Sequence, residues 1–140
     1  EARVWFGHYG TGAASITGYV YGDITVSAGD ILLAHATDPF QAMGASSYSP
    51  GFTVAGSKLK LIYVKNTSPT ALSFSLARKS TNGLPIFDAA SDAVTLAQDD
   101  IFFRFIPAGT AALTTGSNDG LTLTPVSGSP TARVIVAYGA

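Results

Sequence analysis

Leu72-Ser73-Phe74-Ser75-Leu76 alternates apolar and polar side chains without a break. Successive side chains of a strand point to opposite faces, so Leu72, Phe74 and Leu76 share one face and the serines share the other. That is a half-buried strand with one wet face, the pattern of an antiparallel sheet. Working outward, Leu59, Leu61 and Tyr63 alternate with Lys58 and Lys60, after which Ile62 and Val64 take the place of the lysines. This strand is expected to enter from solvent at its lysines and to become buried on both faces. Residues 133–138 read as a further fully buried strand. Residues 101–106 read as a strand stopped by Pro107, which has no N–H to give a ladder. Segments 3–6, 16–21, 24–26, 31–35, 52–54, 94–96 and 121–123 add further candidates.

Turn chemistry separates nearly all of them: Tyr21-Gly22-Asp23, Ala28-Gly29-Asp30, Asn66-Thr67-Ser68-Pro69, Thr81-Asn82-Gly83 and Ser117-Asn118-Asp119-Gly120. No segment sustains a 3.6-residue period, and residues 87–93 have room for one helical turn at most. Composition agrees: 46% of the 140 residues are hydrophobic, only 12% are charged, and Glu1 is the single Glu. The reading is an all-β, single-domain antiparallel sandwich or barrel over residues 1–140, jelly-roll-like, with about eight to ten short strands. One internal echo stands out. Ile24-Thr25-Val26-Ser27-Ala28-Gly29-Asp30-Ile31 matches Val94-Thr95-Leu96-Ala97-Gln98-Asp99-Asp100-Ile101 at an offset of 70. It fits a duplication of about residues 1–70 and 71–140, or the reuse of one turn grammar by unrelated hairpins.

Several function classes are poorly served. A net charge of -1 lacks the electrostatic footprint of a nucleic-acid binder. The chain has no cysteine, hence no disulfide and no thiolate metal site. Apolar runs such as residues 31–34 are of strand length, far below the roughly 18 residues of a membrane span. The start at Glu1 without a basic-then-apolar leader is the expectation for a processed or trimmed product. His8 and His35 are the only histidines, and His35 and Asp38 fall on opposite faces if both lie in a strand. No nucleophile elbow, P-loop or dinucleotide fingerprint occurs. Asp88, Asp92, Asp99, Asp100, Asn118 and Asp119 are oxygen donors in turns, where Asp and Asn ordinarily cap local backbone. No enzyme, no metal and no cofactor is expected.

Aromatic placement is more informative. Trp5, Phe6, Tyr9, Tyr19 and Tyr21 crowd the first 21 residues. Residues 39–57 form an uncharged stretch that carries Phe40, Met43, Tyr48 and Phe52. Such a segment is a poor free surface and a good contact. The expected contact residues are therefore Trp5, Phe6, Tyr9, Phe40, Met43, Tyr48 and Phe52. Phe103 and Phe105 share one strand face while Phe102 takes the other with Arg104; core is the plainer reading for this group, and an interface anchor is the alternative.

A looser pattern runs through roughly residues 58–140. Its pieces are Leu61-Ile62-Tyr63-Val64-Lys65-Asn66-Thr67-Ser68, Ala71-Leu72-Ser73-Phe74-Ser75-Leu76-Ala77, Val94-Thr95-Leu96-Ala97-Gln98-Asp99-Asp100, Asn118-Asp119-Gly120-Leu121-Thr122-Leu123 and the closing residues 132–139. In order these are strand, Asn-Thr-Ser turn, strand, Leu-Ala-x-Asp turn and final hydrophobic strand. This resembles the small β-sandwich of tailed-phage capsid decoration, or cement, proteins and related virion components. The matched residues are framework, so no binding residue carries over. The resemblance implies a non-enzymatic structural role at the capsid surface of a virion, as a homo-oligomer, often a trimer. It also implies the major capsid protein as partner, with neither nucleic acid nor membrane. A tail, neck or extracellular filament subunit is the near variant. A lectin-like module stacking sugars on Trp5 or Tyr9 is the alternative of a different class.

Overall fold

The computed structural model describes residues 16–32, 56–81, 83–87, 89, 92–110, 112–114 and 120–140. Among these there is no helix. Eight strands follow in order: β1 (Gly18–Thr25), β2 (Gly29–Leu32), β3 (Lys58–Asn66), β4 (Phe74–Arg78), β5 (Ala93–Leu96), β6 (Ile101–Phe105), β7 (Gly120–Pro125) and β8 (Thr131–Gly139). They form two four-stranded sheets, a front sheet in the order β1-β8-β3-β6 and a back sheet in the order β2-β7-β4-β5. Every neighbouring pair is antiparallel. Two separate sheets make this a sandwich rather than a closed barrel. Strand i pairs strand 9 − i throughout (β1 with β8, β2 with β7, β3 with β6, β4 with β5), which is the winding of a jelly roll.

The core lies between the sheets. Val20, Ile24, Ile62, Val64, Val134 and Val136 face inward from the front sheet, and Ile31, Phe74, Leu76, Leu121 and Leu123 from the back. Each such side chain contributes about 1.5–3 kcal/mol by leaving water. Leu84, Ile86 and Leu113 close the sides of this cluster. The alternation that marked residues 72–76 is kept: Phe74 and Leu76 are fully buried while Ser75 is half-buried.

Three sequence expectations change. Tyr21-Gly22-Asp23 is not a turn, because β1 runs unbroken through it and pairs β8 residue by residue. The 16–21 and 24–26 candidates are thus one strand: Gly22 points inward opposite Val134, and a glycine's local preference yields to a continuous ladder. Lys60 is not solvated. Leu59 pairs Tyr138 and Leu61 pairs Ala137, leaving Lys60 as the extra residue of a β-bulge. The bulge sends Leu59 to the core, Leu61 to the outer face, and Lys60 to a site with no solvent exposure, where its Nζ donates to the Pro107 carbonyl at 3.2 Å. Loop 106–110 folds back over this bulge, with Ile106 N–H donating to Lys60 O at 2.7 Å and Thr110 N–H to Leu59 O at 3.1 Å. Gly109 permits the close approach: its φ is 77°, and a Cβ there would sit 2.7 Å from Lys58 Cβ. Third, the echoing segments are not hairpins. The first carries the chain from front sheet to back, the second from back to front.

The corner after β3 is locked by one amide. Asn66 is fully buried, its Nδ2 donates to Leu72 O at 2.9 Å and Leu96 O at 3.0 Å, and its Oδ1 accepts from Ser68 N–H at 3.0 Å. Ser68 Oγ then accepts from Thr131 N–H at 2.9 Å. The Asn-Thr-Ser turn therefore fastens the front sheet to β5 and to the segment that leads into β4.

Candidate interaction face

Register decides what the front sheet shows to the outside. Tyr21, Ile135, Tyr63 and Phe103 stand side by side across β1, β8, β3 and β6. Tyr19, Ala137, Leu61 and Phe105 make the next row, and Asp23, Arg133, Lys65 and Ile101 the third. All twelve lie on the outer side of the sheet, because their in-between neighbours Val20, Val64, Val134 and Val136 are core; of the twelve, Ala137 and Leu61 are nonetheless buried. Tyr19, Tyr21, Ile101, Phe103 and Phe105 are between 45% and 56% exposed. Each row spans about 14 Å across four strands. Most large hydrophobic side chains exposed among the described residues are therefore gathered on one face, with only Val126 elsewhere.

The third row is charged. Arg133 grips Asp23 through both ends of its guanidinium, at 2.7 and 2.8 Å. That hydrogen bond, reinforced by the charge of Arg133, holds the Asp23 carboxyl below its ordinary value against a smaller opposing effect of burial. Lys65 reaches Asp99 at 3.2 Å. The face thus has an aromatic field bounded at one end by neutralised charge, the layout of an apolar contact with a polar rim.

β6 shows why the aromatic field is exposed. Its inward side chains are Phe102, which packs against Phe87 with ring centroids 5.6 Å apart, and Arg104. Arg104 lies level with Ile62 but stands at the end of the sheet, so it leans over the open side and donates to the Ile86 carbonyl. The core reading for Phe103 and Phe105 is corrected accordingly. An interior charge normally forces its strand face outward, but at a sheet edge the arginine escapes sideways and leaves the phenylalanines in solvent. The sequence signal was their shared parity; which parity faced water was decided by β6 being an edge.

The turn carboxylates are occupied with backbone. Asp100 Oδ2 accepts from Ala97 N–H at 2.9 Å, and Asp92 Oδ2 from Ala89 N–H at 2.9 Å. Asp99 has a φ of 65°, the left-handed conformation that tightens this turn into β6. Among the described residues no three His, Cys, Asp or Glu side chains gather as metal ligands. Nor, among them, is any helix long and apolar enough to cross a membrane. Buried Tyr138 has its phenol pushed well above the ordinary tyrosine value by loss of hydration.

The sequence-expected contacts Trp5, Phe6, Tyr9, Phe40, Met43, Tyr48 and Phe52 lie outside the described residues, as do His8, His35, Asp38, Asp88, Asn118 and Asp119. Tyr63, Phe103, Phe105 and Ile101 were not among the expected contacts, and the structure brings them together with Tyr19 and Tyr21. No protein-family model matches this chain, and no curated protein is similar to it.

Proposed function

We propose that this protein is a structural subunit of a virion, a capsid decoration subunit that works by laying the outer face of its front sheet on neighbouring protein. One observation carries the reading: Tyr19, Tyr21, Ile101, Phe103 and Phe105 are held half-exposed on a single sheet face. Monomeric proteins seldom keep such a cluster in water, and contact with another protein surface is its ordinary use. The jelly-roll winding supports the same reading as an analogy of fold, since that architecture recurs in capsid domains as well as in lectins. In many copies, individually weak contacts stabilise a shell by mass action.

Quantitative mass spectrometry of purified particles tests this. A copy number in proportion to the main shell protein is expected. A few copies per particle would move the protein to the tail or neck, and absence from every particle would overturn the virion reading. A second reading, a sugar-stacking module, draws on the row Tyr21, Tyr63 and Phe103. It predicts saturable glycan binding that is lost when Tyr63 becomes Ser.

A further inference from the structure

We propose that β6 is a self-pairing edge: two copies of the chain join β6 to β6 about a two-fold axis, making one continuous eight-stranded front sheet. The proposal rests on the reading of the front face as a contact surface and names its first partner, a second copy.

The backbone argument comes first. Among the described residues β6 ends the front sheet and pairs only β3. Asn66 N–H donates to Asp100 O at 3.0 Å and Ile106 N–H to Lys60 O at 2.7 Å, so the even-numbered residues of this segment turn their backbone groups toward β3. By the alternation of an antiparallel ladder, Ile101, Phe103 and Phe105 turn their N–H and C=O groups toward the open edge. A row of alternating donors and acceptors of this kind is matched by another extended strand.

The edge also carries fewer of the guards that keep natural edges apart than the other sheet edges do. Those guards are brevity, proline, and charge on the exposed side. Among the other sheet edges, β2 and β5 have four residues each, and β1 carries Asp23 on its outer face. β6 reads Ile-Phe-Phe-Arg-Phe, and its one charge, Arg104, is spent on the Ile86 carbonyl of its own chain. The same three residues that offer free backbone groups also offer half-exposed apolar side chains.

The pattern selects a second copy as occupant. An antiparallel pair centred on Phe103 sets Phe103 against its own counterpart and Ile101 against Phe105 in both directions. Every apolar side chain then meets an apolar side chain, and no charge is brought against a like charge. This is the self-complementary contact that a two-fold axis demands. Area points the same way. The three-row outer face of one front sheet covers roughly 400 Å² in plan, below the roughly 800 Å² per partner of a stable interface. Two faces joined side by side reach that size, with both aromatic fields on the same side of the dimer.

The chain has no cysteine, so a single introduced thiol is a clean reporter. In the proposed register the two copies of residue 103 form a hydrogen-bonded pair with Cα atoms about 5.5 Å apart, inside the range a disulfide spans. Phe103→Cys is therefore expected to give a covalent dimer on mild oxidation of the whole chain. Tyr21→Cys, similarly exposed at the far edge of the same face, and Thr95→Cys on the back sheet should give no covalent dimer. Light scattering of the unmodified protein should show a concentration-dependent dimer. Phe103→Pro removes an outward N–H without touching the β3 ladder, so it should abolish the dimer while thermal unfolding stays cooperative.

Three results would overturn the pairing. One is a monomer at every concentration, including the case in which hydrogen exchange finds the amides of 101, 103 and 105 protected by the chain's own residues. Another is faster cross-linking between Phe103→Cys and Tyr21→Cys proteins than within Phe103→Cys, which marks a head-to-tail ring such as a trimer. The third is a Phe103→Pro protein that folds and still dimerises. Failure of this idea and failure of the virion reading stay distinct: loss of the dimer with particle binding retained sinks only the pairing, and a dimer found in no particle sinks only the virion assignment.

Discussion

The two sheets have the same kind of inner face and opposite outer faces. Outside the back sheet, Ser75 stands between Thr124 and Thr95, and Ala77 between Thr122 and Ala93. These are small side chains, and Ser75 even turns its hydroxyl back to the Thr124 carbonyl at 3.5 Å. Outside the front sheet the equivalent positions hold Tyr19, Tyr21, Tyr63, Phe103 and Phe105. Both surfaces satisfy the demands of a sandwich core, so folding alone does not call for the difference. The back surface is built to rest in water; the front surface gains by leaving it. The proposed contact therefore lies on one side of the molecule.

The strongest way to break this contrast is to unfasten the two sheets. Asn66→Ala leaves the Leu72 and Leu96 carbonyls without their donor and Ser68 N–H without its acceptor. The expected loss is about 3 kcal/mol, seen as a fall of roughly 10 °C in melting temperature. A variant that melts with the wild type would show that packing alone couples the sheets.

Next in size is a test of the two faces against each other. Phe103→Asp combined with Phe105→Asp should weaken association with undecorated shells about 100-fold, or about 2.7 kcal/mol. Thr95→Asp combined with Thr124→Asp should leave association unchanged. Co-sedimentation with shells reads both, and equal loss from the two pairs would erase the distinction between the faces.

A smaller effect concerns the bulge that sets which β3 residues reach the front face. Burial, and secondarily the charge of Lys58, holds the Lys60 ammonium below the ordinary lysine value of 10.5. The unfolded chain therefore binds more protons between the folded value and 10.5, so stability rises as the pH climbs through that window. Denaturant unfolding from neutral to alkaline pH should show this rise, and Lys60→Met should flatten it.

The smallest effect lies at the charged end of the front face. The depressed carboxyl of Asp23 contributes stability above its ordinary value of 3.8, and that contribution disappears as the pH falls through the folded value. The pair is exposed, so Asp23→Asn should cost only about 0.5 kcal/mol at neutral pH, less in high salt. A larger cost would mean that the pair holds β1 to β8, rather than merely trimming the rim of the aromatic field.

Much of the framework was legible in the chain. Alternation through residues 72–76 marked β4 and the face it buries, and Pro107 ended β6 where expected. The Asn-Thr-Ser segment was recognised as a turn, yet its reach to Leu96, 30 residues on, depends on a segment distant in sequence. The candidate site was scarcely legible. The expected contact residues fall outside the described residues, while the exposed aromatic field was assembled from three strands. Its members Tyr21, Tyr63 and Phe103 share one row only through register.

By itself the sequence marked the segments that became β3 to β8 and, outside the β3 bulge, which of their side chains share a face. Both follow from a two-residue period that acts locally and does not depend on neighbours. Only the tertiary structure decided which strands meet. Among the described residues all six pairings join one of the first four strands to one of the last four, so neither sheet is built from one half of these strands alone. It also decided which side of β6 faces water and where the bulge in β3 turns Lys60 inward. Those choices are set by the edge of a sheet and by the loop folded against it, and such long-range contacts have no counterpart in the order of residues along one strand.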